Sequence, residues 1–334
     1  MSLVRDLRIM AGVSMGLGVG IGEVYFVVTS KTSADGYYSY LRSKYIPEGK
    51  IYTTVLEAYN ATTAGRNDTV FVFPGAHIIS AELAWSKKNT HLVGLGGPNI
   101  GGDYSESNAV LYCTTAAVAS TLTVSGQNCQ FHNFVIENNA NNAGNLTAAT
   151  VDIYGTYWKR VAFHGNMQTT QGTTEACASL YIGAAGMYPL FEDCIIGQDV
   201  WSVRNKANAG VLRFNDTGGR PNGGIFRRCQ FLSVGTTATN CMVAIPASTS
   251  TGRGWLFDSC TFQHFDSGAA SEQLNQCFYS VGSAVQKHSM LLHNCSAFGI
   301  DEWQDADDDV VISTMPIASA QGGLFVEPTQ YLGE

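Results

Sequence analysis

The sequence predicts an all-β protein, a single right-handed parallel β-helix (solenoid) with a short N-terminal α/β cap and an extended N-terminal arm. The first observation is a block of the form apolar-x-x-Cys/Val-x-apolar that returns about every 33 residues. Its successive copies are separated by 32, 33, 35, 31 and 35 positions, and their central residues are Cys129, Val161, Cys194, Cys229, Cys260 and Cys295. A period of this length indicates stacked structural repeats.

The second observation is that the repeats have the period of strands. Within a block, Cys260 and Phe262 alternate as strand residues do, and runs such as 241–245 are rich in β-branched and apolar residues. Clusters of Gly, Asn, Ser and Thr at 138–145 and 215–224 separate these runs. Short parallel strands wound into coils, stacked about 4.8 Å apart, explain both features.

The two variable positions inside the block carry charges that alternate from coil to coil. At the first position the residues are Lys159, Glu192, Arg227, Asp258 and His293. Stacking would make them vertical neighbours, so the sequence predicts a structural ladder of outward ion pairs, each contributing at most about 1 kcal/mol. The alternative is that Glu192, Asp193 and Asp258 form an acid/base cluster. The ladder is the better interpretation, because a working acid needs surroundings that raise its pKa.

Composition limits the classes of partner. The chain has 334 residues, a formal net charge of −8 and only 14% charged residues. No run of Lys and Arg exceeds two residues, so neither a nucleic-acid partner nor a membrane partner is predicted. A weakly charged surface rich in small polar residues suits packing against other proteins.

The chain has nine cysteines, which cannot all pair. In the repeats, Cys194, Cys229 and Cys260 occupy an inward position, where cysteine behaves as a small apolar residue. A second stack on another wall is predicted from Cys113, Cys177, Cys241 and Cys277. No Cys-x-x-Cys pair occurs, so no metal, redox centre or other cofactor is predicted. Free thiols in this number indicate folding in a reducing cytoplasm.

The chain divides into four segments. Residues 1–22 form a docking arm, marked by Arg5, Arg8, Ile9 and Met10 and followed by glycines; a secretory signal and a local plug are the alternatives. Residues 23–68 form a lead-in strand and a cap with helices at 37–45 and 54–63. The β-helix covers 69–300. Residues 301–334 form an acidic loop and a tail, and the loop at 301–309 is either solvated or a calcium site.

A family resemblance appears in the cap and first coils. The segment 54–75, which ends in Val-Phe-Val-Phe-Pro-Gly, and the run His91-Leu-Val-Gly-Leu-Gly96 resemble the pectin-lyase-like right-handed parallel β-helix proteins of tailed-phage virions. Later segments such as 129–136 have a similar residue pattern, so the resemblance covers roughly residues 50–300. It implies a β-helix; because the fold has many functions, it implies no particular activity.

Polygalacturonate-cleaving enzymes of that family use aspartates with Gly-His-Gly and Arg-x-Lys motifs, or calcium-binding aspartates with an arginine base. In this chain Phe163-His164-Gly165 lacks the first glycine, and Lys159-Arg160 does not supply Arg-x-Lys. His132 and His164 are interpreted as equivalent positions one coil apart, either a functional pair or hydrogen-bonded surface residues. Gly12-Val13-Ser14-Met15-Gly16 matches a nucleophile elbow, which needs a strand before it, a helix after it and a histidine and an acid downstream. Its glycine-rich setting indicates a chance match. No catalytic residue is predicted.

The sequence therefore predicts a non-enzymatic structural protein of a bacteriophage virion, a capsid decoration or minor capsid protein docked through its arm. Its predicted partners are capsid or other virion proteins, with a homotrimer and surface glycans as further candidates, and it would assemble in the host cytoplasm. The alternative is a tailspike-like polysaccharide depolymerase or host-glycan-binding protein. A third interpretation, a secreted pectinase-like lyase, requires cleavage near residue 22 and disulfides. A groove with unpaired carboxylates and an aromatic platform would favour the sugar-acting alternatives.

Overall fold

A computed structural model gives the fold of this chain. It describes residues 22–96, 108–165, 167–200, 204–216, 219, 221–246, 251, 254–266, 273–281, 289–304, 310–313 and 324–325. The predicted docking-arm residues Arg5, Arg8, Ile9 and Met10, and the acidic residues at 305–309, lie outside this part of the chain.

The described residues form three long parallel sheets, which we call sheets A, B and C, and the chain visits them in that order once per coil. In stacking order, sheet A contains Ile51–Tyr52, Val24–Val27, Asp68–Val72, Thr90–Gly94, Gln130–His132, Tyr157–Lys159, Leu190–Glu192, Ile225–Arg227, Trp255–Asp258, Met290–His293 and Val311–Ser313. Sheet B contains Gly75–Ile78, Ala109–Cys113, Val135–Asn138, Ala162–His164, Ile195–Gly197, Gln230–Gly235, Thr261–Asp266, Ser296–Phe298 and Leu324–Phe325. Sheet C contains Leu83–Trp85, Ser120–Val124, Thr147–Val151, Ala178–Ile182, Leu212–Phe214, Val243–Ile245, Leu274–Ser280 and Ile300–Gln304. The predicted all-β solenoid is confirmed.

The core is a column of aromatic rings on the inner face of sheet A. Trp158, Phe191, Phe226 and Phe257 pair in register from coil to coil and are fully buried. Their ring planes are nearly parallel, with successive centroid separations of 5.9, 4.6 and 5.1 Å. Each ring therefore buries both faces, which makes the column a major source of stability.

One residue per coil turns the chain sharply from sheet A to sheet B. These residues have a positive φ close to 55° and are Asn133, Arg160, Asp193, Arg228, Ser259 and Asn294. Asparagine and aspartate tolerate this left-handed conformation best, while the arginines and the serine adopt it at some cost in strain. The turn exposes the side chain at this position, and this explains why the block's second variable position is polar.

The first copy of the repeat begins five residues later than the sequence pattern indicates. Phe131 pairs with Trp158, and Ile136 pairs with Phe163, so this coil contains Phe131-x-x-Phe134-x-Ile136. The predicted assignment of Cys129 to the block position is therefore wrong. Cys129 lies just before strand Gln130–His132, and its Sγ is 3.9 Å from Oγ1 of Thr90. The larger Phe134 fills the corner that cysteine or valine fills in later coils.

All nine cysteines are unpaired and buried. In the repeats three thiols donate to a backbone carbonyl of the preceding coil: Cys229 to Phe191 at 3.5 Å, Cys260 to Phe226 at 3.3 Å and Cys295 to Phe257 at 3.2 Å. The thiol of Cys194 donates to the carbonyl of Glu192 in its own coil at 3.3 Å. Burial raises the pKa of the Cys229 and Cys260 thiols well above its usual value. The predicted second stack is not a single column, because Cys113 ends a strand of sheet B while Cys277 lies in sheet C.

We expect these thiols to be unreactive in the native protein. A thiol that is buried and protonated cannot attack a labelling reagent, since the thiolate is the nucleophile. Labelling in buffer should leave Cys194, Cys229 and Cys260 unmodified, while labelling in denaturant should modify all nine cysteines. Quantitative labelling of the native protein at these three positions would contradict the buried stack.

Two short helices cap the first coils, at Gly36–Ser43 and Val55–Ala61, followed along the chain by a one-turn helix at Thr169–Gly172. A 3-10 turn occupies Glu48–Lys50. Helix Val55–Ala61 begins where predicted: the Thr54 hydroxyl accepts from the backbone N–H of Glu57 at 3.2 Å. In the part of the chain that the structure describes, no helix is long and apolar enough to cross a membrane.

Candidate functional site

The predicted ladder residues lie side by side on the outer face of sheet A. Glu192 pairs in register with Lys159 and Arg227, and Arg227 pairs with Asp258. Arg227 is bonded on both sides, at 3.3 Å to Glu192 and 3.1 Å to Asp258, while Lys159 lies 3.9 Å from Glu192. These contacts neutralise the row of charges along its length.

The remaining carboxylate on this face is paired as well. Asp193 accepts from Arg228 at 2.7 Å, and this hydrogen bond lowers the pKa of Asp193 despite partial burial. Tyr157 donates its hydroxyl to Glu192 at 2.5 Å, and burial together with this bond raises the pKa of Tyr157. An acid/base residue needs a carboxyl group that can exchange its proton with a substrate. The carboxylates of sheet A are all held by cations, so this face is poorly suited to catalysis.

We expect Arg227→Glu to destabilise the protein by about 1 to 2 kcal/mol, because it replaces two attractions by two repulsions in a partly exposed row. The free energy of unfolding from urea titration measures the effect. Combining it with Glu192→Arg should recover part of the loss. If the double variant equals the sum of the two single variants, the contacts contribute nothing and the ladder has no energetic role.

The two histidines singled out in the sequence do not form a pair. His132 lies on sheet A in register with Lys159, while His164 lies on sheet B in register with Glu137. The predicted equivalence is therefore wrong, for the same five-residue shift that displaced Cys129. Neither side chain is on the surface: His132 is 1% exposed and His164 is fully buried. Nδ1 of His164 lies 3.4 Å from Oε1 of Glu137.

A cleft on the outer face of sheet C has a different composition. Thr123, Thr150, Tyr181 and Arg213 occupy one vertical column, each in register with the next across adjacent coils. Four coils at about 4.8 Å give the column a length of roughly 14 Å. Together with flanking loops it lines a cavity of about 310 Å³. This volume lies at the lower end of the roughly 300 to 1,000 Å³ found for ligand pockets.

Carboxylates stand at both ends of this column. Glu82, in the coil before Thr123, lines the cleft and makes no hydrogen bond or ion pair with the residues that the structure describes. At the other end Arg213 lies 3.4 Å from Asp216 and 3.7 Å from Glu175, and its side chain is only 6% exposed. The cleft thus combines one buried, paired cation with an accessible carboxylate that has no partner in the part of the chain that the structure describes.

Tyr181 is the aromatic residue of the cleft. Its hydroxyl donates to Oδ1 of Asn215 at 3.3 Å or to Oδ1 of Asp216 at 3.4 Å, which fixes the ring in place. Burial, reinforced by the charge of Asp216, raises the pKa of Tyr181, so the hydroxyl stays protonated and uncharged. A fixed ring beside threonine hydroxyls offers both an apolar surface and hydrogen-bonding groups to a ligand.

A larger cavity of about 680 Å³ lies between the cap and the first strands of sheet B. Its carboxylate is Asp35, which caps helix Gly36–Ser43 by accepting from the backbone N–H groups of Tyr37 and Tyr38 and from Ser30 and Thr29. Burial raises the pKa of Asp35, but these bonds outweigh it and the net shift is downward. Because the carboxylate of Asp35 is already engaged in these hydrogen bonds, this cavity is the weaker candidate for a functional site.

The sequence interpretation missed the cleft. Its column residues follow one another at 27, 31 and 32 positions, and each lies at an outward position of a strand. The sequence did contain a signal for the cleft, because these residues recur about once per coil. The signal was not distinctive, since threonine is common at the outward positions of strands. Only the cavity, and the approach of Glu82 and Asp216 to its ends, distinguish these residues from the rest of the surface.

Solved structures of similar fold include several pectin methylesterases. The enzyme from Erwinia chrysanthemi matches with a TM-score of 0.54 at 15% identity, over 92% of this chain and 93% of that one. The enzyme from Aspergillus niger matches with a TM-score of 0.52 at 14% identity, over 93% and 94%. A pectin methylesterase in complex with a hexasaccharide matches with a TM-score of 0.53 at 16% identity, over 92% and 93%. No protein-family model and no curated protein sequence matches the chain.

These structural matches establish the fold: the chain is a right-handed parallel β-helix of the pectin-lyase-like kind. They also go against two predictions. The prediction of a non-enzymatic structural virion protein, and with it the prediction that the chain is not an enzyme, is wrong, because the structures it resembles over nine-tenths of its length are carbohydrate-active enzymes. The sugar-acting alternative fits the comparison better. The error arose because missing motifs of one enzyme group were taken as evidence against every enzyme.

Proposed function

We propose that this protein binds polysaccharide in the sheet C cleft and hydrolyses a bond within it. The observation that carries the proposal is the cleft itself: an elongated cavity with a fixed aromatic ring, threonine hydroxyls and the unpartnered carboxylate of Glu82. The pectin methylesterases of similar fold act on a polysaccharide, and one of them is described with a bound hexasaccharide, which supports the same class of ligand.

The shape of the cleft favours an extended polymer. Its binding residues come from four consecutive coils, so the column runs along the solenoid axis over roughly 14 Å. Tyr181 offers an apolar ring surface to a sugar face, while Thr123 and Thr150 offer hydroxyl groups that both donate and accept. Such a mixture suits a ligand whose rings are apolar on one face and rich in hydroxyls at the edge.

Glu82 supplies the chemistry in this proposal. In an ester, the carboxylate of Glu82 takes a proton from a water molecule as that water attacks the carbonyl carbon, and it returns the proton to the departing alkoxide as the acyl–oxygen bond breaks. In a glycosidic bond, the same carboxylate takes the proton of the attacking water, and the departing oxygen on the opposite face takes a proton from solvent as the bond breaks. General base catalysis of this kind contributes about 10² to 10⁴ in rate. Asp216 and Glu175 are each paired with Arg213, whereas Glu82 has no such cation beside it among the described residues.

The test is a panel of plant and bacterial polysaccharides, measured for binding and for hydrolysis. Hydrolysis is followed by chain shortening on size-exclusion chromatography and by release of alcohol or acid from esters. We expect Glu82→Gln to lower the hydrolysis rate about 100-fold or more while binding is retained. Tyr181→Ala should weaken binding about tenfold, because a buried aromatic contact is lost.

Matched control variants are Glu57→Gln and Tyr40→Ala, which change exposed residues of the two cap helices. Neither should alter binding or hydrolysis, and all four variants should keep the melting temperature within a few degrees. If no polysaccharide is bound or hydrolysed, or if Glu82→Gln leaves the rate unchanged, the proposal in this form is overturned.

A location on a phage particle, as a tailspike-like protein facing host glycans, is part of the proposal. Its support is the resemblance of the segment 54–75 to phage proteins and the nine unpaired cysteines, which suit assembly in a reducing cytoplasm. In this proposal residues 1–22 attach the chain to other virion proteins. A chain that begins at Glu23 should keep its melting temperature but no longer join the particle, as detected by mass spectrometry of purified particles. Normal incorporation of that shortened chain would contradict the role of the arm.

A further inference from the structure

We infer that the sheet C cleft selects polysaccharide segments that carry no negative charge and disfavours polyuronates. The inference rests on the proposed function and specifies its substrate class. It follows from the balance of charge in the cleft, which differs from what a carboxylate-bearing polymer would require.

The cleft has an excess of negative charge among the described residues. Two carboxylates, those of Glu82 and Asp216, line the cleft together with one guanidinium, that of Arg213, so one negative charge remains in excess. A third carboxylate, that of Glu175, is not part of this lining but lies 3.7 Å from Arg213. The whole chain also carries a formal net charge of −8. A carboxylate on a bound sugar would add a like charge to a partly buried site, where repulsion is stronger than in bulk water.

The one cation of the cleft is not available to an acidic sugar. The side chain of Arg213 is 6% exposed, and its Nη1 donates to the backbone carbonyl of Glu175 at 3.2 Å. Its Nη2 donates to Oδ2 of Asp216 at 3.4 Å. A sugar carboxylate could reach this guanidinium only by displacing carboxylates that the protein already places there. Arg213 therefore orders the rim of the cleft and does not serve as an anion receptor.

The hydroxyl and ring groups of the cleft need no charge on the ligand. Oγ1 of Thr150 lies 3.2 Å from Oγ1 of Thr147, and such hydroxyls can donate to or accept from sugar hydroxyls. Glu82 accepts hydrogen bonds and donates none when ionised, so its natural ligand group is a hydroxyl donor. A neutral sugar can make every one of these contacts.

The experiment compares each acidic polysaccharide of the panel with its own carboxyl-reduced form, which keeps the backbone and removes the charge. Polygalacturonate, alginate and hyaluronate provide three such pairs, and fully methyl-esterified homogalacturonan provides a second neutral partner for polygalacturonate. We expect the neutral member of every bound pair to bind at least about tenfold tighter at low salt. The ratio should shrink as salt is added, since screening weakens the repulsion.

Substitutions identify the origin of the preference. Glu82→Gln combined with Asp216→Asn should reduce the neutral-to-acidic ratio severalfold, while the control Glu57→Gln should leave it unchanged. If a polyuronate binds as tightly as its reduced form, and Tyr181→Ala abolishes that binding, the inference is overturned while the proposed function stands. If neither member of any pair nor any other polysaccharide binds, the proposed function fails and this inference fails with it.

Discussion

Phe226→Ala is expected to destabilise the protein by about 3 to 5 kcal/mol. Phe226 is fully buried at the centre of the aromatic column, stacked on Phe191 at 4.6 Å and on Phe257 at 5.1 Å. Truncation removes both stacking contacts and leaves a cavity that the neighbouring rings cannot fill, because each is held by its own strand. Urea unfolding, followed by fluorescence and by circular dichroism, measures the change in the free energy of unfolding.

Two variants make this result interpretable. Phe226→Leu keeps most of the volume and should cost under about 2 kcal/mol, while Phe298→Ala removes an exposed ring on sheet B and should change stability by less than about 0.5 kcal/mol. A loss below about 1 kcal/mol for Phe226→Ala would show that the column is not the main source of stability. Divergent transitions for the two probes would show that the coils on either side unfold separately.

The second large effect is a loss of stability in acid, caused by two buried histidines near the N-terminal end of sheet A. Burial lowers the pKa of His91 to about 4, partly offset by the charge of Asp68. Burial, with the charges of His91 and Lys159, lowers the pKa of His132 to about 3. Both side chains are at most 5% exposed. They are therefore neutral in the folded protein over a pH range in which they are charged when unfolded.

The direction of this pH dependence follows from the protons that the two histidines bind in the folded and unfolded states. Below pH 6.5 the unfolded chain binds protons at these histidines and the folded chain does not, so the free energy of unfolding falls as the pH falls. The loss begins near the unfolded pKa and, for His91, is complete near pH 4. It amounts to about 3 kcal/mol for His91, and His132 adds a similar amount over the same range.

Unfolding in urea at a series of pH values between neutrality and pH 4 tests the expected loss of stability in acid. The paired variant His91→Gln with His132→Gln should show a flatter dependence on pH than the natural chain, whatever its stability at neutral pH. The control is His293→Gln, an exposed histidine on the same sheet, which should leave the slope unchanged. Parallel curves for the natural chain and the paired variant would show that these histidines bind protons equally in both states.

The period of the repeats was enough to predict the solenoid and the neighbours within the charged row. In stacked parallel strands, residues one period apart must lie above one another, so the contacts of Arg227 with Glu192 and Asp258 follow from spacing alone. The same reasoning failed at the first coil. Gly126-x-x-Cys129-x-Phe131 fits the pattern as well as Phe131-x-x-Phe134-x-Ile136 does, and only packing against Trp158 selects the second.

The cleft on sheet C was beyond the reach of the sequence for a physical reason. Its column residues Thr123, Thr150 and Tyr181 lie at outward strand positions, which composition leaves almost unrestricted because they do not pack in the core. What makes them a site is the cavity that they line together with Glu82 and Asp216, which lie in the loops before and after the strands at its two ends. By itself, the sequence determined the stacking of this protein, because burial restricts the inward residues of every coil. Only the tertiary structure decided which outward residues share a cleft, because that depends on how the loops between strands fold over the surface.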